Sequence, residues 1–170
     1  TQYRLRHEWT IRVYSSLDLF RNSAGLGGDI AAAARGREIH LQPLATLRGQ
    51  GNLRATLRHE FAHALILEEA QRPLPEWLHE AMARWLSGTL TQAGRPQPPR
   101  CAGVTRFEDL ERKTVGGWEA RRQATLVADE FLRLAIRQLG RQTVLGWPRA
   151  GFPGHHKEAL PGLLRQACQQ

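Results

Sequence analysis

His59, Glu60, Phe61, Ala62 and His63 set two imidazoles four residues apart, with a carboxylate directly after the first. On a helix, residues i and i+4 share a face, so both rings can hold one metal ion while Glu60 leans toward a water on it. Zinc suits neutral imidazole and carboxylate ligands and is the expected cofactor. A catalytic zinc site takes three protein ligands and keeps a position open, whereas a structural one is closed by four. After a stop at Arg72, Pro73, Leu74 and Pro75, the chain offers Glu76, His79 and Glu80 as a third ligand. Glu80 is favoured, because it shares a helix face with Glu76 and Arg84 while Trp77, Leu78, Ala81 and Trp85 read as packing residues. His79, which would make a three-histidine site, and Glu76 stay open as alternatives.

The elements that must position these groups follow from the spacing of apolar residues. Trp9 to Ser15 alternates Trp9, Ile11 and Val13 with Thr10, Arg12 and Tyr14, the pattern of a half-buried strand. Leu17 to Asn22 reads as a short helix. Beyond a Gly cluster at 25–28, Asp29 to Ala34 and Glu38 to Leu41 read as strands of a hairpin turning at Arg35, Gly36 and Arg37, and ending near Pro43. From Asn52, a candidate N-cap, the period changes to 3.6 and predicts a helix to about Gln71. A second helix is expected over Glu76 to Leu86, closed by Gly88, then a Pro-rich loop over 91–103. Thr105 with Glu108 resembles a capping box. Trp118 to Leu139 carries a core stripe of Leu126, Val127, Phe131, Leu134, Ala135 and Leu139, ended by Gly140, and Pro161 to Ala167 forms a last short helix. The succession predicts an α+β domain spanning residues 1–170, with a small N-terminal sheet and a helical remainder.

Composition narrows the class further. The chain has 170 residues, 41 % of them apolar, which suits an ordinary globular domain with its own core. No run approaches 18 consecutive apolar residues and the N-terminus lacks a signal-peptide pattern, so no membrane span is expected. A net charge of +8 rests almost entirely on Arg, with Lys only at Lys113 and Lys157. Such a surface keeps a domain soluble and also offers contact to a polyanion, although no Arg run is interleaved with aromatics. Cys101 and Cys168 lie outside any CxxC pair. They suit one disulfide, and with it a secreted or cell-envelope compartment, better than a thiolate zinc site.

LRHEFAHAL followed by PEWLHEAMARWLSG resembles the gluzincin branch of zinc metallopeptidases, in particular the small peptidase-MA-like domains and minigluzincins, whose pattern is HExxH followed by a Pro-Trp-Leu-x-Glu segment. The specific motifs lie within residues 57–88. The resemblance implies a zincin-like fold, zinc bound by His59, His63 and Glu80, and Glu60 as general base and acid in peptide-bond hydrolysis. It also implies a mixed sheet before the zinc helix whose edge strand, Gly28 to Ala34 or its hairpin partner, pairs with an extended peptide or protein substrate. The chain differs from the pattern at Ala81, where Gly often follows the third ligand, and at Arg84, where larger members carry an acid. Members also often carry a downstream Tyr or His beside the oxyanion. The only tyrosines here are Tyr3 and Tyr14, which leaves His155, His156, Arg121 and Arg122 as candidates. A competing expectation is a zincin-fold module without turnover that binds nucleic acid or a cell-envelope polyanion through its basic surface.

Overall fold

A computed structural model describes residues 3–25, 30–90, 103–154 and 159–168. The chain divides into two compact units, Thr1–Glu68 and Glu69–Gln170. Its class is α+β, with a small mixed sheet in the first unit and helices through the second.

The first unit contains β1 (Thr10–Val13), α1 (Leu17–Ala24), β2 (Ala32–Arg35), β3 (Glu38–Leu41), α2 (Leu44–Gly49) and α3 (Leu53–Glu69), whose last residue opens the second unit. Strand order is β1-β3-β2, with β1 parallel and β2 antiparallel to β3. β3 is therefore central, and of the two strands expected to offer an edge only β2 does so. The hairpin turns at Gly36, whose φ of 58° is open to glycine at no steric cost. Alternation along the strands divides the sheet into two faces. Ala32, Ile39 and Leu41 join Leu47 of α2 and Ala64 of α3 in one core, with Leu53 and Leu57 packed against it. On the opposite face, Tyr14 and Ala33 pack on Phe20 and Ala24 of α1.

One expectation fails in this unit, and one helix was not foreseen. β1 is exposed throughout, Ile11 at 44 % and Val13 at 45 %, so it is not half-buried. Its alternation is real in sequence, but it is an edge strand and only one neighbour covers it. α2 carried too few periodic residues to be read as a helix at all. The remaining differences are element ends: β1 is shorter than Trp9 to Ser15, β2 starts at Ala32 and takes in Arg35, α1 extends to Ala24 after a Ser16 cap that accepts from the Leu19 amide at 3.2 Å, and α3 stops at Glu69.

The second unit is built on α6 (Trp118–Leu139), which has the predicted bounds and buries Val127, Phe131, Leu134 and Ala135. Against it pack α4 (Glu76–Ser87), α5 (Phe107–Thr114), α7 (Arg141–Leu145) and α9 (Ala159–Ala167), with α8 (Trp147–Ala150) following α7. Trp77, Phe107, Phe131, Trp147 and Phe152 form one aromatic cluster, with Trp77 and Phe107 stacked at 5.6 Å. Gly88 closes α4 in the left-handed conformation, as expected. Cys168 is disulfide-bonded; Cys101, like the expected loop over 91–102, lies outside the described residues.

The start of α5 corrects the expected capping box. Asp109, not Glu108, is the acceptor: its Oδ2 takes the amides of Thr105 and Arg106, each at 2.9 Å, and the Thr105 hydroxyl at 3.1 Å, while Arg112 pairs with Oδ1. The helix starts at Phe107, which puts Asp109 at the third position, where a carboxylate reaches back to the cap. These bonds, led by the Thr105 amide, hold the Asp109 carboxyl well below the usual carboxylate range. The folded state thus prefers the charged form, so the contribution is present above about pH 4 and is lost as pH falls through the range below it. Asp109→Ala is expected to cost about 1–2 kcal/mol at pH 7. Chemical denaturation should show the gap to the parent narrowing as pH is lowered below about 4; a gap unchanged with pH would contradict this role.

Candidate metal centre

α3 turns 100° per residue, and that step decides what each side chain of the motif meets. Leu53, Leu57 and Ala64 form the stripe that packs on the sheet. Glu60 lies three residues after Leu57 and four before Ala64, on the flank of that stripe, and is only 5 % exposed. His59 and His63 lie on the other side of the helix, with His63 at 7 % exposure near the buried Ala62 and Ile66. Arg54, Arg58 and Phe61 take the solvent-facing strip. The helix is thus buried on two sides, and the Glu60 carboxylate stands between them. Fully burying a Leu or Ile side chain contributes roughly 1.5–3 kcal/mol, so the sheet contact anchors the helix that carries all three groups.

The two imidazoles point at one place. His59 Nε2 and His63 Nε2 are 3.0 Å apart, and the rings meet edge to face at 88° with centroids 4.5 Å apart. Two nitrogens bound to one tetrahedral zinc at about 2.0–2.1 Å stand roughly 3.3 Å from each other. The observed separation is close to that value, and the donor set is the one zinc prefers, so the pair fits a shared ion. The end of α3 is tied to the N-terminal segment: the Trp9 indole donates to Glu68 at 2.8 Å and holds its carboxyl below the usual range, with His7 at 2.8 Å assisting.

In the second unit, Glu76 is exposed on the first turn of α4, and His79 and Glu80 are half-buried one turn later. Glu80 Oε2 pairs with Arg84 Nη1 at 3.4 Å, the i+4 contact its spacing predicts. Arg84 in turn clasps Asp129 of α6: Nε donates to Oδ1 at 2.9 Å and to Oδ2 at 3.2 Å, and Nη2 lies 2.8 Å from Oδ1. Burial pushes the Asp129 carboxyl up, and the Arg84 charge opposes that shift. Sequence reading missed Asp129. Its signal was available, since an acid inside the apolar stripe of α6, beside Val127 and Ala128, needs a buried partner.

The candidates for an oxyanion donor fare differently. The Tyr14 hydroxyl shares a hydrogen bond of 2.9 Å with His40 Nδ1 on the α1 face of the sheet, the face opposite to the one that receives α3. Arg121 and Arg122 are exposed at the start of α6, where Arg122 lies over the Trp118 ring at 5.7 Å and pairs with Glu119 at 3.9 Å. His155 and His156 lie outside the described residues.

Comparisons with family models, with curated proteins and with solved structures find no match for this chain. The donor geometry yields its own test. Titration with zinc, followed by chelator competition, should find one tight site, and His59→Ala or His63→Ala should each weaken it by more than the roughly 10–100-fold that loss of an outer-shell partner costs. Parent-like affinity in either variant would remove that imidazole from the centre.

Proposed function

We propose that the chain is a zinc-dependent metallopeptidase of gluzincin type on a zincin-like fold, in which His59, His63 and Glu80 hold the ion and Glu60 is the general base and acid. The observation that carries this reading is the pair of Nε2 atoms 3.0 Å apart on α3, with the buried Glu60 carboxylate one residue from the first. Glu80, on α4 of the second unit, supplies the carboxylate that the motif pattern calls for as third ligand. Three ligands leave a tetrahedral ion one open position, which suits catalysis rather than a closed structural role.

When bound, zinc supplies a Lewis acid that polarises the scissile carbonyl and brings water ionisation near pH 7. Glu60 takes a proton from the attacking water and returns it to the leaving amine nitrogen, so one carboxylate serves as base and then as acid. Its position on the flank of the sheet-facing stripe keeps it out of bulk water and restricts its rotamers, which favours a fixed proton-transfer geometry. β2 offers an edge to an extended substrate in the same unit, and Ala32, Ala33 and Ala34 present little bulk along it. A secreted or cell-envelope location accompanies this reading, supported by the disulfide at Cys168.

Glu60→Gln preserves shape and removes the base. Incubated with a diverse peptide mixture and read by mass spectrometry, the zinc-loaded variant should cleave about 10²–10⁴-fold more slowly than the parent while retaining zinc. Equal cleavage by the two would rule out the mechanism. No cleavage by either with zinc bound, together with salt-sensitive retention on heparin, would favour the polyanion-binding module instead.

A further inference from the structure

Arg84 stands one helical turn after Glu80, where a guanidinium is normally a competitor for a metal ligand. A free arginine fork takes a neighbouring carboxylate through two parallel hydrogen bonds and neutralises the charge a cation needs. Here the fork is occupied elsewhere: Nε and Nη2 face Asp129 at 2.8–3.2 Å, and Arg84 reaches Glu80 through Nη1, at 3.4 Å on Oε2. The side chains of Asp129 and Arg84 are 11 % and 19 % exposed, against 37 % for Glu80, so the tighter pair is also the drier one. Glu80, Arg84 and Asp129 sum to one negative charge.

We infer that Asp129 is a positioning residue for Glu80: it holds the Arg84 fork, so that Arg84 touches the ligand carboxylate only through one long contact instead of capturing it. The inference rests on the reading of Glu80 as a zinc ligand. It assigns Arg84 and Asp129 together the place that an acid at position 84 takes in larger gluzincins, by a charge relay from α4 to α6. Helix α6 supplies the anchor, since Asp129 lies between the buried Ala128 and Phe131 and cannot follow a moving Arg84.

Zinc affinity, measured by competition with a chromophoric chelator at a temperature well below each variant's melting midpoint, tests this without recourse to turnover. Asp129→Asn releases Arg84 onto Glu80 and should weaken zinc binding about 10–100-fold. The double variant Arg84→Met with Asp129→Asn removes the competitor and should recover affinity to within about fivefold of the parent, a rescue that a purely structural role for Asp129 does not produce. The double variant also buries no unmatched charge, so it carries the test if Asp129→Asn does not fold. Parent-like affinity in Asp129→Asn, or a double variant as weak as Asp129→Asn or more than tenfold weaker than the parent, would overturn the inference. Glu80→Ala separates it from its premise: zinc affinity unchanged there refutes the ligand reading, whereas zinc lost there with Asp129→Asn unaffected refutes the positioning role alone.

Discussion

The 100° step of α3 is the constraint on which the candidate centre depends. A helix that packs through Leu53, Leu57 and Ala64 against Ile39, Leu41 and Leu47 has its rotation set by that contact. Once it is set, Glu60 must fall on the flank of the packed stripe, and His59 and His63 must fall together on the far side. Rotating the helix by one residue would carry Glu60 away from its flank and turn Phe61 into the sheet. The small three-stranded sheet therefore does more than close the first unit. It orients the helix that bears three of the four groups in the proposed chemistry.

A second constraint operates in the unit built on α6. Asp129 is an acid inside an apolar stripe, and burial alone would favour its neutral form. Arg84 answers it with two of its nitrogens, and what remains of that guanidinium is turned to Glu80. Asp109 shows the opposite case in the same unit: four hydrogen-bond donors stabilise its charge at the start of α5, and its carboxyl moves down rather than up. The two acids differ in what dominates: desolvation raises Asp129 against the pull of Arg84, whereas the Thr105 amide and the donors beside it outweigh desolvation at Asp109.

Where the apolar period was long, it was legible. The 22 residues of α6 and the run around His59 to His63 each repeat an apolar face over several turns, and that repeat gives the bounds of α6 and most of its buried stripe, while Leu126 and Leu139 are only half-buried and α3 ends two residues before Gln71. The reciprocal i, i+4 spacing likewise foretold the meeting of His59 with His63 and of Glu80 with Arg84. Short elements were not legible in this way. α2, α7 and α8 have four to six residues each, too few to establish a period, and tertiary packing decides them. Exposure of Ile11 and Val13 in β1 escaped the reading because alternation reports a strand but not how many neighbours cover it. The clasp of Arg84 on Asp129 joins residues 45 apart, a separation that no local pattern encodes.

X-ray absorption spectroscopy of the zinc-loaded protein tests the central claim most directly, because it reads the ligand set without requiring a substrate. The account predicts a first shell of nitrogen and oxygen only, at about 2.0–2.1 Å, with outer-shell scattering from two imidazoles that falls to one in His63→Ala. Sulfur at about 2.3 Å, or an imidazole count unchanged by that substitution, would contradict it.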